Sequence, residues 1–258
     1  MSNEEALKQY DIRKYKTPDG YTSDIAVFTI VAENKEEHKP PIMSLKLMLI
    51  QRALLNAEGD TNIEAGKWAL PGGFVQEDET ALEAAKRELE EETGVENVLI
   101  KHFGVYDTPG RDPRGWIITN AHYAIVPMDY LSKRKAADDA AEVELFSIEE
   151  VLNLPLAFDH REIITDAIHM ITNDLLQTTV AKNFLPKHFT YSELQAVLAT
   201  VTDEPGILSE QSFARKIKTL PFIQKVPGKK TQRTSKSPAA LYEFLEMDIV
   251  KSIYTARY

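Results

Sequence analysis

The sequence contains no cysteine, which excludes disulfide bonds and thiolate metal sites. It also has no apolar run long enough to cross a membrane. The chain starts with a polar and charged segment, Met1 to Pro18, which is unlike a secretory signal. These absences together predict a cytoplasmic protein with no membrane partner. With 258 residues, 43% of them hydrophobic, the chain is long enough for one large domain or two ordinary ones.

The charge of the chain is unevenly distributed. A net charge of −10 argues against general nucleic-acid binding. Residues 209–238, however, contain eight Lys and Arg residues and one acidic residue, Glu210, so this segment carries +7 and the rest of the chain −17. Such asymmetry indicates an anionic partner for one part of the molecule.

Acidic residues recur at fixed spacing in residues 73–95. The order along the chain is Gly73, five residues, Glu79, seven residues, Arg87-Glu88-Leu89, one residue, Glu91-Glu92, one residue, Gly94-Val95. Residues 80–93 are predicted to form a helix that Gly94 ends. At about 100° per residue, Glu91 and Glu92 lie about 60° to one side and 40° to the other of Glu88. Three carboxylates therefore share one stripe of the helix.

Two interpretations of this carboxylate stripe are open. Most acidic helix faces are simply solvated. Here, however, Leu82, Ala85 and Leu89 form an adjoining apolar stripe, so the acidic face lies beside the core. Like charges at this spacing repel each other, and a divalent cation that prefers hard oxygen ligands, Mg²⁺ or Mn²⁺, reverses that penalty. The sequence therefore favours a metal site.

The same residues match the pattern of the Nudix hydrolases, Gx5Ex7REUxEExGU with U aliphatic, at every position. This resemblance implies a metal-dependent enzyme that cleaves a diphosphate linked to a nucleoside. It implies that the Gly73 carbonyl, Glu88 and Glu92 bind the metal, that Glu91 assists, and that Arg87 orients the carboxylates. Arg87, Glu88, Glu91 and Glu92 are thus the expected catalytic residues.

The remaining pattern predicts a fold of mixed α/β class. Alternation and β-branched content predict strands at 22–31, 45–52, 97–106, 117–126 and 142–147, with Trp68 to Leu70 entering the glycine turn. The Nudix resemblance makes this an α/β/α sandwich with a mixed sheet, occupying residues 1–158. A connecting helix with apolar residues at helical spacing is expected within 159–182. His160 and His169 in that region are expected to be structural, and Trp68 is expected to pack in the core.

Residues 183–258 have the outline of a winged helix-turn-helix. Helices are predicted at Tyr191 to Thr200 and Glu210 to Leu220, and short strands at Ile223 to Val226 and Ala240 to Leu245 flank a basic loop. The alternative is a small helical addition with a solvated basic loop. If the unit binds double-stranded DNA, the candidate contacts are its basic side chains: Arg215, Lys216, Lys218, Lys229, Lys230 and Arg233.

Further stretches resemble the Nudix-related transcriptional regulators of NAD metabolism (the NrtR family). In the first domain these are Pro109-Gly-Arg-Asp-Pro-Arg114 and Leu156-Ala-Phe-Asp-His160. In the second they are Phe189-Thr-Tyr-Ser-Glu-Leu-Gln195, Phe213-Ala-Arg-Lys-Ile217 and Pro238-Ala-Ala-Leu-Tyr242. This resemblance implies ADP-ribose as ligand, DNA as partner and a homodimer. Many members have a degenerate Nudix motif and sense the nucleotide without cleaving it. This motif is complete, so catalysis is expected.

Three functional hypotheses follow. The leading one is hydrolysis of ADP-ribose, or a related nucleoside diphosphate derivative, to AMP and a phosphorylated product. Arg52, Arg111 and Arg114 are then candidate substrate contacts, since a guanidinium binds two phosphate oxygens at once, although surface salt bridges would explain them equally well. The second hypothesis is a regulator whose DNA binding responds to ADP-ribose. In the third, the C-terminal unit only widens a dimer or substrate interface.

Overall fold

The computed structural model describes residues 2–33, 36–56, 58–128 and 143–246. Its strands are β1 (Gly20–Ala32), β2 (Met43–Gln51), β3 (Trp68–Ala69), β4 (Gly72–Phe74), β5 (Leu99–Tyr106), β6 (Ile117–Ile125), β7 (Val143–Ser147), β8 (Ile223–Thr231) and β9 (Ala239–Phe244). Its α-helices are α1 (Asn3–Gln9), α2 (Ala81–Thr93), α3 (Ile148–Val151), α4 (His160–Gln177), α5 (Tyr191–Leu198), α6 (Pro205–Leu208) and α7 (Glu210–Lys216). Short 3₁₀ helices span Ile12–Lys14, Val180–Phe184 and Ile217–Thr219.

Strand β1 organises the first sheet. It pairs in parallel with β6 and antiparallel with β2 and β4, in the strand order β3-β2-β1-β6-β5, and β7 pairs with β2. In the β1–β4 pairing, Ser23 lies opposite Gly73 and Asp24 lies opposite Gly72. This register places a buried part of β1 directly beside the glycine turn.

Alternate residues of β1 enter two different cores, as the two-residue period of a strand requires. Ile25 and Val27 pack with residues of α2 such as Leu89, whereas Ala26 and Phe28 pack in a second cluster that includes α4. Helices thus cover both faces of a mixed sheet. The predicted α/β/α sandwich is confirmed.

The C-terminal unit has the order of a winged helix. Helices α5, α6 and α7 are followed by the β8–β9 hairpin, and Phe189 pairs with Tyr242 of β9 through backbone hydrogen bonds of 2.8 and 2.9 Å. Phe189, Phe213 and Tyr242 belong to the same apolar cluster as Phe28 of the sheet. The predicted winged helix is confirmed, and its core is continuous with one core of the first domain.

Several boundaries differ from the sequence-based expectation. Strand β8 extends to Thr231 instead of ending at Val226, with an irregularity between Lys225 and Lys230 where Gly228 adopts a φ of 70°. Lys229 and Lys230 therefore lie on the strand and not in a loop. The expected helix from Glu210 divides into α7 and a 3₁₀ helix, and α1, α3, α6 and β4 were not predicted because they are too short for a periodic pattern.

Strand β7 and the packing of Trp68 can both be compared with the sequence-based expectation. The strand expected at 142–147 is present as β7, Val143–Ser147, and residue 142 lies outside the described residues. Trp68 packs edge-on against Phe146 with ring centroids 4.7 Å apart, in agreement with a role in the core. None of the helices in the described part of the chain is long and apolar enough to span a bilayer.

Candidate active site

The acidic helix α2 is fixed at both ends by its own sequence. Thr80 and Glu83 form a capping box, in which Glu83 Oε2 accepts from Thr80 N at 2.8 Å. Gly94 ends the helix in the left-handed conformation, with a φ of 62°. Ser23 Oγ also donates to the Ala81 carbonyl at 2.9 Å. Strand β1 therefore holds the start of the helix that carries the carboxylates.

The two glycines of the turn allow close approaches that other residues would block. A Cβ atom on Gly73 would overlap Glu88 Oε1, and one on Gly72 would overlap the Ser23 carbonyl. The Glu88 carboxylate thus lies directly against the backbone of Gly73. This contact brings one predicted ligand to the turn that supplies another.

Arg87 is the hydrogen-bonding centre of the acidic face. Its Nε and Nη2 bind Glu79, its Nη1 binds Glu88 at 2.7 Å and Glu91 at 3.2 Å, and Nη2 also donates to the Phe74 carbonyl. Hydrogen bonds to Glu79 and then Glu88 raise the pKa of the Arg87 guanidinium. The Arg87 guanidinium therefore offsets the repulsion among these three carboxylates and orients them.

Glu92 is held apart from that group, on the inner side of the helix. Its Oε2 accepts a hydrogen bond of 2.9 Å from Gly72 N. The pKa of Glu92 is raised to about 8, mainly by burial and further by the charges of Glu88 and Asp24, while the hydrogen bond from Gly72 N opposes this rise. A cation placed next to Glu92 would stabilise its charged form.

The donor set fits a hard divalent cation. Glu88 and Glu92 supply carboxylate oxygens on either side of the turn, and Gly73 supplies a backbone carbonyl. Among the described residues, no three His, Cys, Asp or Glu side chains are grouped as a ready-made metal site. A site of two carboxylates and one backbone carbonyl is consistent with both findings, because it contains only two ligating side chains. The side chain of Glu91 is 58% exposed, and its described polar contact is with Arg87 and not with Glu92.

A cavity opens beside the turn, and all three predicted substrate-binding arginines line it. Its wall contains Arg52, Arg111 and Arg114 together with Glu92 and Phe158. The Arg114 guanidinium lies between two aromatic rings, 5.1 Å from the centroid of Phe74 and 5.1 Å from that of Phe158. Arg52 lies 5.0 Å from the Phe158 centroid. Cation–π stacking fixes these two arginines.

Each of the three arginines is also held by polar partners through its other guanidinium nitrogens, which leaves Nη1 without a partner among the described residues. Arg111 binds Asp159 at 2.6 and 2.7 Å, Arg114 binds Asp112, and Arg52 binds the Ile63 carbonyl. In all three, Nη1 has no hydrogen-bond partner within the described ranges. Burial, followed by the charge of Arg114, lowers the pKa of Arg52. The cavity can therefore accept an anion that supplies several oxygens.

Two residues of this cavity were not predicted as functional. Asp24 is 8% exposed, and nothing in the pattern of β1 marks it. His160 is fully buried, accepts a hydrogen bond of 2.9 Å from Leu70 N through Nδ1, and has its pKa lowered by burial. The structural role expected for His160 is present, and the residue also lines the cavity. Phe158, which precedes it, adopts a φ of 48°, rare for a bulky residue.

The predicted DNA contacts divide into two groups. Arg215, Lys216, Lys218, Lys229 and Lys230 are exposed, on α7, the following 3₁₀ helix and β8. Arg233 is instead bound to Glu193 at 2.6 and 2.7 Å and to the His188 carbonyl at 2.8 Å. Its guanidinium holds the turn of the hairpin against α5. DNA contact by the five exposed residues stays a prediction.

The model of the NUDIX domain family matches residues 22–167. This chain belongs to the Nudix family. Beyond the Nudix domain, residues 181–244 match the family described as NrtR DNA-binding winged helix domain. The recognised resemblance to both families is confirmed.

Three similar proteins illustrate the range of this Nudix group. The ADPR responsive transcriptional repressor NtrR of Acinetobacter baylyi is 28% identical, over 96% of this chain and 91% of its own length. The ADP-ribose pyrophosphatase of Methanocaldococcus jannaschii is 37% identical, over 62% of this chain and 80% of its own. The crystal structure of Shewanella oneidensis NrtR complexed with a 27mer DNA is 29% identical, with a TM-score of 0.66, covering 87% of this chain and 93% of the other.

Proposed function

We propose that this protein is a Nudix hydrolase that uses Mg²⁺ or Mn²⁺ to cleave the diphosphate bond of ADP-ribose or of a related nucleoside diphosphate derivative. One observation carries the proposal. The carboxylates Glu88 and Glu92 and the guanidiniums of Arg52, Arg111 and Arg114 meet at the Gly72–Gly73 turn. Oxygen ligands for a cation and a three-arginine anion site are thus adjacent, as a diphosphate substrate requires.

Each part of the site has a distinct task in this reaction. Glu88, Glu92 and the Gly73 carbonyl would hold the metal, which, when bound, neutralises the diphosphate and lowers the pKa of the attacking water. Arg87 keeps Glu88 and Glu91 oriented by charge-assisted hydrogen bonds. The arginines bind the diphosphate oxygens. Water would lose a proton to the general base, its oxygen would bond to one phosphorus, and the bond from that phosphorus to the bridging oxygen would break. The bridging oxygen stays with the other phosphate, so that AMP and a phosphorylated product leave.

The relatives support ADP-ribose as the substrate. A pyrophosphatase named for ADP-ribose covers the Nudix domain at 37% identity, and a repressor named as ADPR responsive covers nearly the whole chain. Pro109 lies fifteen residues after Gly94, near where ADP-ribose-hydrolysing Nudix enzymes place a proline, and two arginines follow it. Glu88 and Glu91 are the candidates for the general base.

A second function is favoured by the winged helix. Five exposed basic side chains lie on α7, the next 3₁₀ helix and β8, in a unit that matches a DNA-binding family. We propose that a homodimer binds double-stranded DNA through these units and that ADP-ribose changes this binding. With the Nudix motif complete, such a regulator would also destroy its own signal.

A product assay tests the first proposal. Turnover is measured with Mg²⁺ or Mn²⁺ for ADP-ribose, NAD, NADH, diadenosine polyphosphates and nucleoside triphosphates. ADP-ribose should give the highest kcat/KM, and faster cleavage of a triphosphate would exclude this substrate choice. Binding to the upstream region of the protein's own gene, with and without ADP-ribose, tests the second proposal. No salt-dependent binding to any duplex would leave an enzyme whose C-terminal unit serves only an interface.

A further inference from the structure

Asp24 is a buried carboxylate whose hydrogen-bonding capacity is unused. It lies in β1, is 8% exposed and lines the cavity beside the glycine turn. A Cβ atom on Gly72 would lie 2.8 Å from Asp24 Oδ1, so the carboxylate covers that residue. Within the part of the chain that the structure describes, no donor comes within hydrogen-bond distance of it. Arg111 Nη2 lies 3.9 Å and the neutral His160 Nε2 lies 4.0 Å from Asp24 Oδ2.

Burial makes this arrangement costly unless something in the cavity supplies a donor. A carboxylate that is 8% exposed keeps little of its hydration, and no donor of the described residues replaces what it loses. Arg111 does not compensate at close range, because its Nε and Nη2 are committed to Asp159. A ligand group in the cavity that donates a hydrogen bond to the Asp24 carboxylate would therefore be stabilised.

The neighbouring His160 presents the complementary group. Its Nδ1 accepts from Leu70 N, so the neutral imidazole carries its hydrogen on Nε2. That Nε2–H lies 4.0 Å from Asp24 Oδ2, which is too far for a direct hydrogen bond. A single oxygen about 2.8 Å from both atoms would see them at an angle of roughly 90°, a geometry that one hydroxyl can use.

The chemistry of this pair selects the group that can bridge it. The carboxylate only accepts hydrogen bonds, and His160 Nε2–H only donates. A phosphate oxygen would be repelled by Asp24, and an ammonium group has no lone pair for His160. A hydroxyl both donates and accepts. In a nucleoside diphosphate the sugar hydroxyls flank the diphosphate, which is the part that the adjacent arginines would bind.

We propose that Asp24 and His160 together bind one sugar hydroxyl of the nucleoside diphosphate ligand. This inference rests on the proposed function, because it assumes that a diphosphate occupies the arginine site. His160 thereby has two separate tasks. Its Nδ1 holds the turn through Leu70 N, and its Nε2–H contacts the ligand.

The two tasks of His160 can be separated by substitution. In His160→Asn, the amide oxygen takes the place of Nδ1 and keeps the bond to Leu70 N, while nothing replaces Nε2–H. Asp24→Asn keeps the shape and removes the charge of the acceptor. His169→Asn is the matched control, since His169 is an exposed histidine on the same helix. Thermal unfolding of each variant shows whether the fold is kept.

Binding is measured by calorimetry with Mg²⁺ and two probes that the protein cannot cleave. One is the α,β-methylene analogue of ADP-ribose, and the other is methylenediphosphonate, which has no sugar. Asp24→Asn and His160→Asn should each weaken the first probe about tenfold, and neither should weaken the second. The double variant should lose less than the product of the two separate losses, because both residues contact the same hydroxyl.

The outcomes separate this inference from the proposed function. If the unchanged protein binds the ADP-ribose analogue and both variants bind it equally well, the hydroxyl contact is wrong and the proposed function stands. If both probes weaken together, the pair acts on the diphosphate or on the fold, and the inference is again wrong. If the unchanged protein does not bind the analogue but cleaves another nucleotide, the proposed ligand itself is wrong.

Discussion

Arg87 donates hydrogen bonds to both carboxylate oxygens of Glu79, from Nε at 3.1 Å and from Nη2 at 2.6 Å. Glu79 lies in the loop before α2, and Arg87 lies in the middle of that helix. The pair therefore fastens the loop to the helix and leaves Nη1 to hold Glu88 and Glu91. Glu79, the first acidic residue of the spaced pattern in residues 73–95, thus fixes the residue that orients the other carboxylates.

Replacement of Arg87 by lysine should weaken metal binding while preserving charge. Lysine cannot form the planar set of bonds by which Arg87 contacts Glu79, Glu88 and Glu91. Loss of such a supporting contact weakens metal binding roughly 10- to 100-fold. The Mn²⁺ concentration that gives half-maximal turnover measures the effect. An unchanged half-maximal concentration would show that Arg87 does not orient the metal ligands.

Substitution of Glu92 by glutamine should reduce turnover by at least about a hundredfold, or roughly 2.7 kcal/mol in the activation barrier. The change keeps the shape of the side chain and removes its charge. Glu90→Gln is the appropriate control, since Glu90 is exposed on the same helix. Glu83→Gln would be a poor control, because Glu83 caps that helix. Near-parental turnover of the Glu92 variant would contradict the metal assignment.

Introduction of a methyl group at Gly73 should impair catalysis by displacing Glu88. The new Cβ would overlap Glu88 Oε1. We expect Gly73→Ala to lose metal-dependent turnover about as strongly as the Glu92 variant, by about a hundredfold. Gly206→Ala is the comparison, since nothing lies within 4 Å of a Cβ there. Turnover against Mn²⁺ and melting temperature are measured for both, and equal behaviour of the two variants would refute the close contact.

Replacement of Lys229 and Lys230 by alanine should weaken DNA binding at all sequences and reduce its salt dependence. If each contacts one phosphate, the slope of log K against log salt should fall by about 1.8. Arg233→Ala should instead destabilise the winged helix by about 1–3 kcal/mol, because the buried Glu193 loses its charged partner. Anisotropy titrations at several salt concentrations and urea unfolding separate the two effects.

The stability of the protein should fall as pH decreases from 6.5 to 4, partly because of His122. Burial, followed by the charge of His102, lowers the pKa of His122 to about 4. The unfolded chain takes up this proton near pH 6.5, so the stabilisation is present above pH 6.5 and is lost as pH falls towards the folded-state pKa. The shift corresponds to about 3 kcal/mol.

Urea unfolding at intervals between pH 7.5 and 4.5 measures this contribution. His122→Asn retains a donor for the Ser23 hydroxyl, which lies 3.1 Å from His122 Nδ1, and cannot titrate. The pH dependence of stability should therefore be shallower in the variant. Parallel curves for the two proteins would show that His122 is not responsible.

The acidic helix could be predicted from the sequence because the residues that define it are close neighbours along the chain. Spacing alone places Glu88, Glu91 and Glu92 on one stripe, and Thr80 and Gly94 mark the ends of α2. The pairing of Asp24 with Gly72 depends instead on the β1–β4 register, which joins residues nearly fifty positions apart. Local patterns carry no information on such pairing, so Asp24 was missed.

Among the basic residues, the sequence predicted a DNA contact that the tertiary structure instead pairs with an acidic residue. Charge and position grouped Arg233 with Lys229 and Lys230 as contacts for DNA. Its partner Glu193 is forty residues earlier, and only the packed hairpin brings the two together. Only the tertiary structure therefore distinguishes an exposed lysine from an arginine that is already paired.

Helix α4 begins at the cavity wall with His160 and runs for 18 residues towards the winged helix. At 1.5 Å per residue it is about 27 Å long. A tilt of about 5° at its first turn would displace its far end by roughly 2 Å. If the proposed nucleotide moved the first turn of this helix by less than the width of an atom, the far end would shift enough to misalign side chains with a DNA groove.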